Sequence, residues 1–250
     1  MSKSNERSRL GLVAWSLLGV SLLVGGIAWS WLITLPEVAV LAQTNPSTTA
    51  LMEARAAQAR EEGRTATPRW TWVPLVRMSP HLIRAVVVAE DATFFFHEGF
   101  AWEGIRDALW RDVQSGRLQR GGSTISQQLA KNLYLTADKT LTRKLKEALI
   151  TRALEHRLTK KRILELYLNV VEWGNDVYGA EAAAQHHFGK SARDLTAEEA
   201  ALLAAILPSP RSYDPLPSGS SYLAKRQQQI LRWMQRRGSL GLKKVVEAER

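Results

Sequence analysis

Two glutamates, fifty-seven positions apart, carry the side chains best suited to chemistry. Glu90 follows the apolar run Val86, Val87, Val88 and Ala89 and stands shortly before Phe94, Phe95 and Phe96. An apolar wall disfavours the charged carboxylate and raises its pKa, as a general acid or base working near neutral pH requires. Asp91 is adjacent, and adjacent side chains on regular structure diverge, so the two acids cannot serve one atom. Asp91 is suited to accepting hydrogen bonds that fix the loop, or to a solvated place at a helix end. His97 could orient a carboxylate or titrate, but a lone histidine among aromatics is more often a hydrogen-bonded structural residue, and that is the reading preferred for it.

The second acid, Glu147, follows Arg143 and Lys144 at helical spacings of four and three, which puts both cations on its face. Two cations around one carboxylate can hold a diphosphate, with a divalent ion on the acid. The same spacing also makes an ordinary surface ion pair of little energetic consequence. Between the acids lies Gly121-Gly122-Ser123-Thr124, followed by Gln127, Gln128 and Lys131. Glycines admit close approach of the backbone, and free N–H groups at a helix start favour an anion. The stretch lacks the Gly-Lys-Ser/Thr ending of a nucleotide-binding loop, and it also reads as a plain glycine turn and N-cap. Gln128 and Lys131 share a helix face. Paired acids facing one cleft are the usual equipment for work at a glycosidic carbon. Cations between them suit a phosphate leaving group, hence glycosyl transfer and not hydrolysis.

The elements that must position these groups read as helices almost throughout. Ser79-Pro80 is an N-cap and first helical residue, so Glu90 falls at the far end of a helix. Trp102, Ile105, Leu109 and Val113 have helical spacing. Further helices are expected over 123–133, over a long stripe of Leu141, Leu145, Leu149, Leu154 and Leu158, and after the cap Thr159. Gly174 and Gly179 bracket a loop ahead of 180–188. Thr196 and Glu199 have capping-box spacing before an apolar helix that Pro208 and Pro210 stop. A basic helix over 221–237 ends the pattern. The fold class expected is mainly α, with at most a small hairpin.

The N-terminal part reads as delivery to a membrane. Leu12 to Leu35 carries no charge, and as a helix it would extend about 36 Å, enough to cross a bilayer core. Lys3, Arg7 and Arg9 precede it, which places the N-terminus in the cytoplasm and the rest outside. The expected organisation is a tail over 1–11, a transmembrane signal-anchor helix over 12–35, a linker over 36–64, a catalytic domain over 65–215 and a basic helical segment over 216–250. The net charge of +10 favours an anionic partner, and the absence of cysteine excludes disulfides and thiolate metal sites.

Taken together, these residues resemble the peptidoglycan glycosyltransferases found in class A penicillin-binding proteins and, alone, in monofunctional transglycosylases. The family's Glu-Asp-x-x-Phe-x-x-His-x-Gly pattern is met by Glu90, Asp91, Phe94, His97 and Gly99. Its Gly-x-Ser-Thr-x-Thr-x-Gln block is met by Gly121, Ser123, Thr124 and Gln128, with Ser126 in place of the second threonine. Arg143, Lys144 and Glu147 meet its Arg-Lys-x-x-Glu block, and Ile163 to Asn169 its Ile-Leu-Glu-x-Tyr-Leu-Asn block. A looser match runs from Gly179 to Lys190, with His187 where tyrosine is usual. The likeness covers about residues 65–215.

The resemblance implies a lysozyme-like helical domain with a small membrane-proximal lobe. It implies lipid II as substrate and a growing glycan strand as product, with undecaprenyl diphosphate released. Glu90 would be the general base, and Glu147 would assist at the donor diphosphate, directly or through magnesium or manganese. Lys131, Arg143 and Lys144 would neutralise the leaving group. Asp91, Phe94, His97, Ser123, Thr124 and Gln128 would complete the substrate-binding set. About 35 residues follow the matched region, which fits the monofunctional form without transpeptidase activity. The implied setting is the inner membrane with the catalytic domain periplasmic, other cell-wall or division proteins as candidate partners and no nucleic acid. A lytic muramidase on a related fold, or a scaffold with a degenerate site, are the rival readings.

Overall fold

The computed structural model describes residues 15–16, 18–23, 25–26, 35–101, 122–135, 140–212 and 221–236. Residues 1–37 and 38–250 form two compact units. In the first, the described residues from 15 to 26 are helical and exposed. Much of the expected span over 12–35, and all of the tail over 1–11, lies outside the described residues. Among the described residues no helix is long and apolar enough to cross a membrane. The expected helix around Trp102 to Val113 also lies outside them.

The second unit is mainly helical. α1 (Ala50–Glu61) starts at Thr49, whose hydroxyl accepts from the Met52 N–H. This stretch falls in the expected linker, yet it is part of the domain. Val38, Leu41, Met52 and Ala59 are buried, and α1 packs against α3 (Ile125–Tyr134). Arg55 on α1 grips the buried Glu172 through two nitrogens at 3.0 and 2.8 Å. An alanine-rich helix shows little amphipathic pattern, and its small side chains permit close packing.

α3 is the hub. It packs on α4 (Leu141–Arg157) and on α5 (Lys160–Val170) as well as on α1. α5 is buried on almost every side from Ile163 to Val170, as a central helix must be. A second group brings α2 (Pro80–Glu90) against α7 (Ala197–Ile206) and α8 (Ser221–Arg236). The expected caps Ser79, Thr159 and Thr196 hold, whereas the helix expected from 123 starts at Ile125 with Thr124 as its cap; Thr124 and Thr196 form full capping boxes.

Where a loop was expected between Gly174 and Gly179 the chain forms a hairpin, β2 (Glu172–Gly174) and β3 (Val177–Tyr178), antiparallel with an irregular register. β1 (Arg69–Trp70) adds in parallel to β3, giving the order β1-β3-β2. Asn169, at the end of α5, ties this sheet to the chain before α2. Its amide donates to the Val73 carbonyl and accepts from the Val73 N–H, each at 2.9 Å. Gly179 follows β3 at φ +79°, where a Cβ would lie 2.6 Å from the Asn169 carbonyl oxygen.

The leucine stripe of α4 faces the core only in its second half, where Leu154 and Leu158 are buried, and not at its start as the spacing predicts. Leu141 is 91% and Leu145 52% exposed, while Glu147, Ile150, Thr151 and Leu154 are buried. The buried face is the one that carries Glu147, and two neighbouring cations make burial of that carboxylate tolerable.

Gly179→Ala combines a left-handed backbone with a clash against a carbonyl that cannot retreat. It is expected to destabilise the domain by about 2 kcal/mol or more, read as a lower midpoint in denaturant unfolding followed by circular dichroism.

Candidate active site

α2 ends at Glu90, and the chain turns away at Asp91. α3 begins directly opposite. The Asp91 carboxylate accepts the N–H of Ile125, the first residue of α3, at 3.1 Å. This N–H is one of the donors that a helix start leaves unpaired, and the positive end of the helix favours the negative partner. His97 Nε2 lies 3.0 Å from both Asp91 oxygens, and its Nδ1 accepts from the Gly99 N–H at 3.1 Å. The ring therefore carries its hydrogen on Nε2 and donates to Asp91. The Gly99 carbonyl in turn accepts from the Thr124 hydroxyl at 2.7 Å. Gly99 has φ +92°, and a Cβ there would come within 2.9 Å of Thr151 and 3.1 Å of Glu155.

This framework decides what the expected binding residues do. Asp91 and Thr124 are buried in it and His97 is half-buried, and the three hold the loop and the cap. Phe94, expected to bind substrate, is fully buried and so has no surface to offer. Its ring meets Phe95 edge-on at 4.9 Å and lies under the Lys160 ammonium at 4.5 Å. An aromatic at that spacing serves packing because the turn Phe94–Phe96 points its first ring inward. Ser126 donates to Glu155, which also pairs with Lys160 at 2.7 Å, so the serine hydroxyl is structural. Ser123 is exposed just ahead of the cap, and Gly121 lies outside the described residues.

Glu90 is half-buried and receives the side-chain amide of Gln128, Nε2 to Oε2, at 2.9 Å. Burial pushes its pKa up, and the negative charge of Asp91 adds to the rise. The Gln128 hydrogen bond and the positive charges of Arg226 and Lys131 oppose it. Gln128 receives the hydroxyl of Tyr167 on its own oxygen at 3.1 Å. Neither Tyr167 nor Arg226 stood among the expected site residues. Tyr167 lay within a matched block but read as an apolar helix position. Arg226 lies on α8, which read as a plain basic helix; only the packing of α8 on α2 brings its charge to Glu90.

Glu147 is buried, and its two oxygens are held separately. Arg143 Nη1 reaches one at 3.3 Å, and the Lys144 ammonium donates to the other. Thr151 donates to the Glu147 backbone carbonyl at 2.7 Å and fixes the turn behind it. Arg143 Nε is buried with no hydrogen-bond partner among the described residues. Lys131, one turn along α3 from Gln128, is exposed at its surface and lies in the field of both glutamates. Desolvation lowers its pKa, Arg143 and Lys144 lower it further, and Glu147 and Glu90 pull it back up.

The arrangement thus offers a partly desolvated carboxylate at one end and a cluster of three cations around a buried carboxylate at the other. The first can accept a proton. The second can bind an anion with more charge than one carboxylate neutralises. Among the described residues no three of His, Cys, Asp and Glu gather as a metal site. Glu147 is already engaged by Arg143 and Lys144, so these residues do not form a site that holds a divalent ion by themselves.

The transglycosylase family model matches residues 55–235. Among similar proteins is the biosynthetic peptidoglycan transglycosylase of Nitrosospira multiformis, 52% identical over 187 residues, covering 75% of this chain and 81% of that protein. Those of Dechloromonas aromatica and Laribacter hongkongensis are 48% and 45% identical over 206 and 214 residues. They cover 82% and 86% of this chain, and 84% and 94% of their own lengths. With likeness running from α1 to α8 and through every element around the two glutamates, the chain belongs to the transglycosylase family.

Proposed function

We propose that the chain polymerises lipid II into glycan strands in bacterial cell-wall synthesis. The observation that carries this reading is the contrast between the two glutamates, one desolvated and amide-bonded, the other locked among cations, with Lys131 in the field of both. In this reading Glu90 takes the proton from the 4-hydroxyl of the acceptor's GlcNAc. The oxygen attacks the anomeric carbon of the donor's MurNAc and inverts it. The bond from that carbon to the diphosphate breaks, and its electrons leave on undecaprenyl diphosphate. Lys131, Arg143 and Lys144 meet the charge where it develops, which is where preorganised cations lower the barrier. Glu147 holds Arg143 and Lys144 in register, and Gln128 and Ser123 border the space between. No step in this reading depends on a divalent ion.

The same reading includes the lysozyme-like domain with a small membrane-proximal lobe, and a single N-terminal span holding it on the outer face of the inner membrane. A lipid-linked substrate supports it, because a prenyl chain keeps the diphosphate at the bilayer surface. A muramidase would hydrolyse with one acid and leave the cation cluster without a task.

The direct test is polymerisation of labelled lipid II by the detergent-solubilised chain. Glu90→Gln is expected to fold normally and to lose about 10²–10⁴-fold in rate, the usual contribution of a general base. A variant as active as the wild type removes Glu90 from the chemistry. Lys131→Ala is expected to lose about 10²-fold, as when one stabiliser of developing charge is removed. The pH profile of kcat/KM is expected to be bell-shaped. Glu90 works ionised, so its acid limb lies above the ordinary carboxyl value of 4.5. Lys131 works charged, so its alkaline limb lies below the ordinary lysine value of 10.5. Loss of the alkaline limb in Lys131→Ala would identify its owner.

A further inference from the structure

Tyr167 is fully buried in the middle of α5, and its hydroxyl has one hydrogen-bond partner among the described residues, the oxygen of the Gln128 amide. Burial, reinforced by the charges of Glu90 and Asp91, pushes its pKa well above the usual tyrosine range, so the hydroxyl keeps its proton at any working pH. That proton needs an acceptor, and the amide oxygen is the one within reach. If the Gln128 amide turned over, it would present its NH2 to Tyr167 and leave the buried O–H unsatisfied. Such a loss is costly inside a protein. The turned amide would also aim its carbonyl oxygen at Glu90, where an ionised carboxylate can only accept.

We propose that Tyr167 is a positioning residue for the reaction: by donating to the Gln128 oxygen it fixes the amide so that an N–H, and never the carbonyl, faces the Glu90 carboxylate. Glu90 is thereby kept in the form that can receive a proton. With the carbonyl facing it, Glu90 would be favoured as the protonated acid and would be idle as a base. The device rests on three helices, with Glu90 on α2, Gln128 on α3 and Tyr167 on α5, so each must be docked before the base is set. The other charges acting on Glu90 are Arg226 on α8, Lys131 on α3 and its neighbour Asp91. α7, also packed on α2, buries only alanines, leucines and an isoleucine. None of these groups touches the Gln128 amide in a way that would select its orientation.

The proposal rests on reading Glu90 as the base, and the test separates the two. Tyr167→Phe keeps the ring and removes the lock. In this variant the acid limb of kcat/KM is expected to move up by about one pH unit, the worth of one hydrogen bond to a carboxylate, with the rate recovering at higher pH. Gln128→Leu should move the limb at least as far, and adding Tyr167→Phe to it should move it no further, because the tyrosine acts through the amide. A purely structural tyrosine would instead lower the rate equally at every pH, or would act undiminished in the Gln128→Leu background; either result overturns the proposal. The Glu90 carboxyl carbon, followed by 13C NMR and assigned by its absence in Glu90→Gln, gives the same titration without turnover. An upward shift in folded Tyr167→Phe supports the lock even if Glu90→Gln stays active and the base assignment falls. An unmoved titration refutes the lock even if Glu90→Gln is dead.

Discussion

One hydrogen bond joins the two halves of the site. The Asp91 carboxylate sits at the end of α2 and accepts the first N–H of α3. An unpaired N–H at a buried helix start must find an acceptor, and an anion there also gains from the helix dipole. His97 donates to the same carboxylate, Gly99 donates to His97 and returns a carbonyl to Thr124, and Thr124 caps α3. Each link has little room to move, since Gly99 fills a gap that a Cβ would close. The result is that Glu90 and Gln128, on different helices, meet at hydrogen-bonding distance before any substrate arrives.

Around that joint the two glutamates are driven apart in character. Glu90 loses water without gaining a direct cation, so burial dominates its ionisation and an amide only moderates it. Glu147 is buried more deeply but with a cation on each oxygen, which offsets the cost of taking a carboxylate out of water. In the proposed reading one acid exchanges protons and the other organises positive charge. Lys131 is reached by the fields of both glutamates, which in the proposed reading lets it answer charge that develops on the leaving diphosphate.

The remainder of the fold supports α3 from below. α5 is packed on nearly all sides and carries both Tyr167, which meets Gln128, and Asn169, which ties down the small sheet. Arg55 on α1 and Glu172 on β2 form a further clasp outside the site. Stability and chemistry thus share elements: the same helix that closes the core also sets the amide beside Glu90.

Local signals were enough for much of this. Side-chain caps at Ser79, Thr159 and Thr196 depend on neighbours two or three residues away, so these helix starts were legible from the chain alone. The pairing of Arg143 and Lys144 with Glu147 is likewise fixed by helical spacing, and ordered motifs were enough to indicate the family. Distance in sequence hid the rest. Nothing local tells that Phe94 and Thr124 turn inward, that Leu141 and Leu145 face solvent while Glu147 is buried, or that an alanine-rich stretch read as linker packs on the hub. Nor could spacing bring Tyr167 to Gln128, thirty-nine residues away, or Arg226 to Glu90 from the far end of the chain. Hydrogen-bond donors, charges and helical faces are properties of the sequence. Which face is buried, and which acid loses its water, is settled only when the helices pack.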